Sequence, residues 1–170
     1  MCAGKDIILT RRSIRKYKPG VKITKEQLDY MLKAAFTAPN ASNKQPWQFL
    51  IAESDEAKAK ILKVHPYCGF LKEASLAILV LGNTDINADF WAVDCAIASE
   101  NIMLAANYLD LGTCLCCGYP VADIMTGIAK EFNLPDNIKL FGVIVVGEAD
   151  EEKEPAFDRI DMKKVHFNEY

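Results

Sequence analysis

At 170 residues, 51% apolar and 25% charged, the chain is long enough to bury a core and too apolar to stay disordered, which predicts one folded domain over residues 1–170. Its formal net charge of -3, with the two signs intermixed, excludes a whole-surface attraction for nucleic acid or an anionic membrane, so any anion site has to be local. No basic-then-apolar leader and no bilayer-length apolar run is present, so six cysteines (Cys2, Cys68, Cys95, Cys114, Cys116 and Cys117) read as reduced thiols of a cytoplasmic protein rather than as a disulfide frame.

In chain order, Asp6 to Arg12 is predicted as a short helix, followed by an extended segment in which Arg11, Ser13 and Arg15 share one side. Pro19-Gly20 breaks the chain. Thr24 with Gln27 is a capping box, and Leu28, Met31, Leu32, Ala35 and Phe36 keep the spacing of one helical face. The helix stops before Pro39, where PNASNKQP is a loop by composition, and Gln48 to Ala52 reads as a strand. Ser54 caps a helix running to about Val64, and the continuous apolar run Leu76 to Leu81 is a strand covered on both faces.

The longest helical pattern runs from Asp89 to about Leu111. Its apolar residues, among them Trp91, Val93, Ile97, Ile102, Met103 and Ala106, do not confine themselves to one stripe, which predicts burial all round with a partner subunit covering part of it. Thr113 to Cys117 is a short strand or loop, Val121 to Phe132 a helix, and Phe141 to Val146 a last apolar strand. Helices alternating with three or four strands make an α/β or α+β layer structure. Glu148, Asp150, Glu151, Glu152 and Glu154 read as a solvated acidic linker over 148–155. The tail from 156 to 170, with Ile160, Val165, Phe167 and Tyr170 among charges, is too apolar for a free end and is expected to lie on a second copy of the chain.

Three stretches carry chemistry. Arg11, Arg12 and Arg15 surround the Ser13 hydroxyl at a chain break, and guanidinium forks match phosphate oxygens; the competing reading is a solvated basic helix end. In the loop Pro39 to Phe49, Asn43 and Gln45 offer donor and acceptor together, as reading the polar edge of a flat heterocycle requires, while the plain reading is a turn above a core Trp47. In GTCLCCGYP, Cys114 and Cys117 have CxxC spacing that His65 and Cys68 would complete to a four-ligand zinc set; a dithiol redox pair is a further alternative, and buried small thiols are the default. Gly118 invites close approach of a flat ligand to the backbone. No catalytic carboxylate pair, GxSxG, Walker or GxGxxG pattern is present, so any chemistry belongs to a bound cofactor.

Taken in order, RRSIR (Arg11 to Arg15), PNASNKQPW (Pro39 to Trp47), LGTCLCCGYP (Leu111 to Pro120), NLPDNIK (Asn133 to Lys139) and RIDMKKVHFNEY (Arg159 to Tyr170) resemble the nitroreductase-like family of FMN-dependent oxidoreductases over nearly the whole chain. The resemblance implies an α+β flavoprotein fold with a mixed sheet flanked by helices, a long buried central helix and C-terminal tails exchanged in a homodimer. It also implies FMN at the subunit interface, NADH or NADPH as electron donor, no metal, and a nitroaromatic or quinone as acceptor.

By position, Arg11, Arg12, Ser13 and Arg15 are similar to the family's phosphate and ribityl contacts, joined by Arg159 from the tail. Pro39, Asn40 and Asn43 match the loop that meets the ring from the other subunit, with Gln45 supporting it. Cys117 and Gly118 match the pair whose backbone lies over the reactive edge of the flavin. Phe157 stands where a second phosphate-binding cation often lies, and the short span from Tyr67 to Trp91 implies an open acceptor pocket. The alternatives that share the resemblance are a flavin carrier without enzymatic activity and a specialised flavin enzyme, either a dehalogenase or a flavin-destroying synthase.

Overall fold

The computed structural model describes residues 6–170, so Cys2 lies outside the described residues. Its centre is a four-stranded sheet in the order β1-β2-β4-β3, built from β1 (Trp47–Ala52), β2 (Leu76–Asn83), β3 (Leu111–Cys117) and β4 (Ile138–Glu148). The helices are α1 (Ile7–Thr10), α2 (Lys25–Phe36), α3 (Asp55–Val64), α4 (Trp91–Tyr108) and α5 (Ala122–Phe132).

Side-chain alternation along the central strands divides the core in two. Leu76, Ile78 and Val80 of β2 face a layer built by α2 and α4, with Met31, Ala35, Cys95, Ala98 and Ile102. Ala77, Leu79 and Leu81 face the opposite layer, where α3 and α5 supply Ile61, Ile124 and Ile128. Seven of the eight β2 residues, Leu76 to Gly82, are buried, as the unbroken apolar run requires of a strand sandwiched between helices.

The local signals act as the residues dictate. The capping box at the start of α2 forms in both directions, with Thr24 Oγ1 accepting from the Gln27 N–H at 3.2 Å and Gln27 Oε1 accepting from the Thr24 N–H at 2.8 Å. Ser54 caps α3 through the Ala57 N–H, and the chain leaves α5 through Asn133 in the left-handed conformation. Gly82 is required by contact: an added Cβ would lie 2.4 Å from Cε3 of Trp91 and 3.3 Å from Sγ of Cys95. Gly82→Ala is expected to cost about 1–3 kcal/mol by overpacking. Thermal melts of the two proteins check it, and an unchanged midpoint would show that Trp91 can move aside.

Two expectations change. All strand pairs are antiparallel, where a mixed sheet was expected, because α3 and the turn at Gly69–Lys72 return the chain to the end of β1 that it left, setting Ala52 against Ala77. Among the described residues, parallel pairing survives only as a single bridge between Ser13 and Thr113. Within one protomer α4 keeps an exposed stripe, the part for which a partner subunit was expected: Trp91, Asp94, Cys95, Ala98, Ile102 and Ala105 are buried, but Val93 is 55% exposed and Ala96 is exposed with it.

The second change is in the acidic run, which is solvated only in part: Asp150, Glu152 and Glu154 are exposed, while Glu148 and Glu151 are half-buried. Strand β4 reaches Glu148, and beyond it Ala149 bridges Tyr17 while the Asp150 N–H donates to the Lys16 carbonyl. The backbone polar groups of 16–18 need partners that the sheet end supplies. The apolar residues of the tail are exposed on the protomer, Ile160 at 73% and Phe167 at 78%. No helix among the described residues is long and apolar enough to cross a membrane.

Candidate functional site

The basic segment after α1 is held at the edge of the sheet. Its Ile14 N–H donates to the Thr113 carbonyl at 2.9 Å, and Ile14 and Tyr17 are buried, so they anchor the strand-like stretch while the residues between them stay outside. The Tyr17 hydroxyl donates to the Ile14 carbonyl at 2.7 Å, and burial holds its pKa far above the ordinary phenol value. On the outer side, Oε1 of Glu151 accepts from the Arg15 and Lys16 N–H groups at 2.5 and 3.2 Å. Those backbone hydrogen bonds, from Arg15 first, hold the Glu151 carboxyl below the usual carboxylate range.

This anchoring opens a cavity of about 340 Å³ lined by Arg11, Arg12, Ser13, Arg15 and Arg159, with Ile8, Leu9 and Phe157 as its apolar wall. All five residues that the sequence assigned to the phosphate end thus meet in one place, although Arg159 is 144 positions from Arg15 in the chain. Arg11 is partly occupied, its Nε lying 3.1 Å from Oε1 of Glu100 on α4. Among the described residues no carboxylate lies within ion-pair distance of Arg12, Arg15 or Arg159.

Lys153 also lines the cavity, a cation that sequence reasoning missed because it stands inside an acidic run. Its Nζ donates to the Ser13 carbonyl at 2.8 Å and pairs with Glu151 at 3.1 Å. Phe157 lies on the apolar wall, and Lys153 brings to the lining a positive charge that it shares with Glu151. Lys18 is a surface ion-pair partner of Glu148, worth little in water.

The other predicted residues lie elsewhere. Pro39, Asn40, Asn43 and Gln45 form a loop between α2 and β1 that does not line this cavity. The loop is strained: Ser42, Asn43 and Gln45, none of them glycine, have φ of 54°, 54° and 51°. Oδ1 of Asn40 accepts from the Gln45 N–H at 2.9 Å, and Oδ1 of Asn43 from Gln45 Nε2 at 3.0 Å. A residue that sequence reasoning passed over, Asp94 of α4, reaches across to accept from the Ala41 N–H at 2.9 Å. Its only signal was a carboxylate among apolar residues in the first turn of α4.

Cys117 ends β3 with its side chain exposed. The Thr113 carbonyl points away from β4, toward Ile14, and the Gly118 N–H points into the sheet toward Phe141. Strand alternation therefore turns the Cys117 amide to the same open edge of β3 that receives Ser13 and Ile14. Gly118 answers first to packing, since an added Cβ would lie 2.5 Å from Cδ2 of Leu140.

Of the remaining thiols, Cys68, Cys114 and Cys116 lie together in the core layer of α3 and α5, and Cys95 lies in the opposite layer. Among the described residues no group of three or more His, Cys, Asp or Glu side chains is arranged to hold a metal ion, and the five described cysteines are unpaired. The Cys116 thiol, despite a lowering contact with Cys114, is pushed up to about 12 by Cys68 and by burial, and burial pushes Cys95 up to about 12. Thiols held this high stay protonated and unreactive at neutral pH.

His65 is 1% exposed beneath Cys116 and Cys117, and neither ring nitrogen has a well-formed hydrogen bond among the described residues. Desolvation lowers its pKa, outweighing the backbone carbonyls of Cys117 and Cys116. Below the ordinary imidazole value of about 6.5 the unfolded chain then binds a proton that the folded chain does not, so stability present above that pH is lost on acidification. A chemical-denaturation series from pH 8 to 5 is expected to show a steeper fall for the native protein than for His65→Gln; parallel curves would place the loss at other groups.

The three-layer α+β sandwich around an antiparallel sheet matches solved structures of the nitroreductase fold. The chain belongs to the Nitroreductase family, whose model matches residues 8–66 and 63–148. A relative from Methanothermobacter thermautotrophicus, provisionally named NADH dehydrogenase/NAD(P)H nitroreductase, is 36% identical over 97% of this chain and 86% of its own length. A crystal structure of a protein from Parabacteroides distasonis with the same provisional name superposes with a TM-score of 0.93 at 33% identity, covering 97% of both chains. An FMN-dependent nitroreductase from Clostridium difficile superposes with a TM-score of 0.87 at 34% identity, covering 96% of this chain and 98% of that one.

Proposed function

We propose that the chain is one FMN-binding unit, working as a cytoplasmic homodimeric oxidoreductase that uses NADH or NADPH. The observation that carries this reading is the convergence of Arg11, Arg12, Ser13, Arg15 and Arg159 on one cavity. Guanidinium forks around a hydroxyl suit a phosphate monoester, and Lys153 adds a further donor. The FMN-dependent relative and the family membership point to the same cofactor, and unpaired cysteines fit a reducing compartment.

When bound, FMN supplies the redox chemistry, taking hydride from the nicotinamide and passing electrons to a nitroaromatic, quinone or related acceptor in a ping-pong cycle. The chain's own part is to bind and orient. Arg12, Arg15 and Arg159 hold the phosphate, Arg11 sharing its charge with Glu100. The Cys117 amide, turned to the open edge of β3, is placed to donate a hydrogen bond to the ring, which is why the amide and not the sulfur is the functional group. Pro39, Asn40, Asn43 and Gln45 present polar groups to the ring from the partner protomer. No side chain is required as an obligatory acid or base. The short span from Tyr67 to Trp91, which holds the Gly69–Lys72 turn and β2, is in keeping with an open acceptor pocket and broad acceptor use.

The purified protein is expected to be yellow, or to become so with added FMN, and to bleach anaerobically with NADH or NADPH. A protein that binds FMN but does not bleach with either nicotinamide is a carrier, and one that takes up no FMN overturns the reading altogether.

A further inference from the structure

Asp94 is 1% exposed, yet no lysine, arginine or histidine among the described residues lies within ion-pair distance of it. A buried carboxylate without a cation needs hydrogen-bond donors. The donors given it are the Ala41 N–H, at 2.9 Å from Oδ1, and Asn87 Nδ2, at 3.2 Å from Oδ2. Asn87 is itself buried, and its Oδ1 faces the Phe90 N–H at 3.4 Å, so the carboxylate is braced from the turn that begins α4. Phe90 offers that helix no side-chain cap, and the helix dipole favours an anion in the first turn.

The other end of the brace is the strained loop. Ser42, Asn43 and Gln45 occupy the left-handed region, which L side chains adopt at a cost, within four consecutive positions. The hydrogen bonds from Gln45 to Asn40 and Asn43 lie within the loop and travel with it if it relaxes. The Ala41 contact with Asp94 is different in kind, because it ties the loop to a helix packed against the sheet.

Resting on the FMN reading above, we infer that Asp94 is a positioning residue: it clamps the Asn40–Gln45 loop in the strained form that presents Asn43 and Gln45 to the flavin ring. The carboxylate touches neither cofactor nor substrate. Its effect reaches the ring through the Ala41 N–H and the loop conformation.

The test compares Asp94→Ala and Asp94→Asn with the native protein in three measurements: amide hydrogen exchange of Ala41 without cofactor, FMN affinity by fluorescence quenching, and the visible spectrum of bound FMN. Asp94→Ala is expected to make the Ala41 amide exchange fast, to weaken FMN by roughly tenfold or more, and to shift the flavin absorption. Asp94→Asn keeps an acceptor for Ala41 and is expected to restore slow exchange, most of the affinity and the native spectrum. A variant that only melts earlier, with FMN affinity and spectrum unchanged, overturns the clamp. If Asp94→Ala does not fold, Asn87→Ala, which removes the brace on Oδ2, is expected to change the same readings in the same direction, and unchanged readings there overturn the proposal. If the native protein takes up no FMN, the flavin reading falls, while the exchange of Ala41 still decides whether Asp94 holds the loop.

Discussion

Replacing Arg15 by alanine is expected to weaken FMN binding by about 1.5–3 kcal/mol, roughly tenfold to hundredfold in the dissociation constant, the value of a lost charge-assisted hydrogen bond. The expectation rests on place rather than on charge alone. Arg15 lines the cavity and no carboxylate among the described residues pairs with it, while its backbone is fixed by Glu151 and by the flanking anchors Ile14 and Tyr17. Lys18 lies three residues on, carries the same charge and is bound to Glu148 on the surface. Lys18→Ala is therefore expected to leave FMN affinity within about twofold, the usual reach of an exposed ion pair. Titration of FMN against both variants checks the contrast, and equal small effects would return the basic segment to a solvated helix end.

Removing residues 156–170 is expected to have the second large effect. Ile160, Val165 and Phe167 are exposed on an isolated protomer, and α4 keeps an uncovered stripe that includes Val93 and Ala96. Burying apolar side chains against a second copy stabilises by about 1.5–3 kcal/mol each before ordering costs. A net loss of about 3 kcal/mol on truncation would raise the dimer dissociation constant roughly a hundredfold. Light scattering over a dilution series is the measurement, with FMN affinity read in parallel because Arg159 leaves with the tail. An intact chain that stays monomeric, or a truncated one that keeps both dimer and affinity, would refute tail exchange.

Much of the fold was legible because its signals are local. Thr24 with Gln27, Ser54, the apolar run from Leu76 and the breaks near Pro39 and Pro120 act within a few residues, and each ends or starts an element where the spacing predicts. The direction of strand pairing was not legible, since it depends on which end of β1 the chain returns to after α3, and no residue pattern states that. The acidic run misled for a related reason: composition shows five carboxylates near Lys153, but not that Glu151 would meet the Arg15 and Lys16 N–H groups.

The same division runs through the site. By itself the sequence determined the residue types that can grip a phosphate and the polar loop after α2, because these are matters of chemical identity and short spacing. Only the tertiary structure decided that Arg159 and Lys153 join Arg12 and Arg15 around one cavity, that the Cys117 amide faces an open sheet edge, and that Asp94 holds a strained loop. Those contacts bring together groups far apart in the chain, and they exist only once burial of the two core layers has set the sheet edge, the loop and α4 in fixed relation.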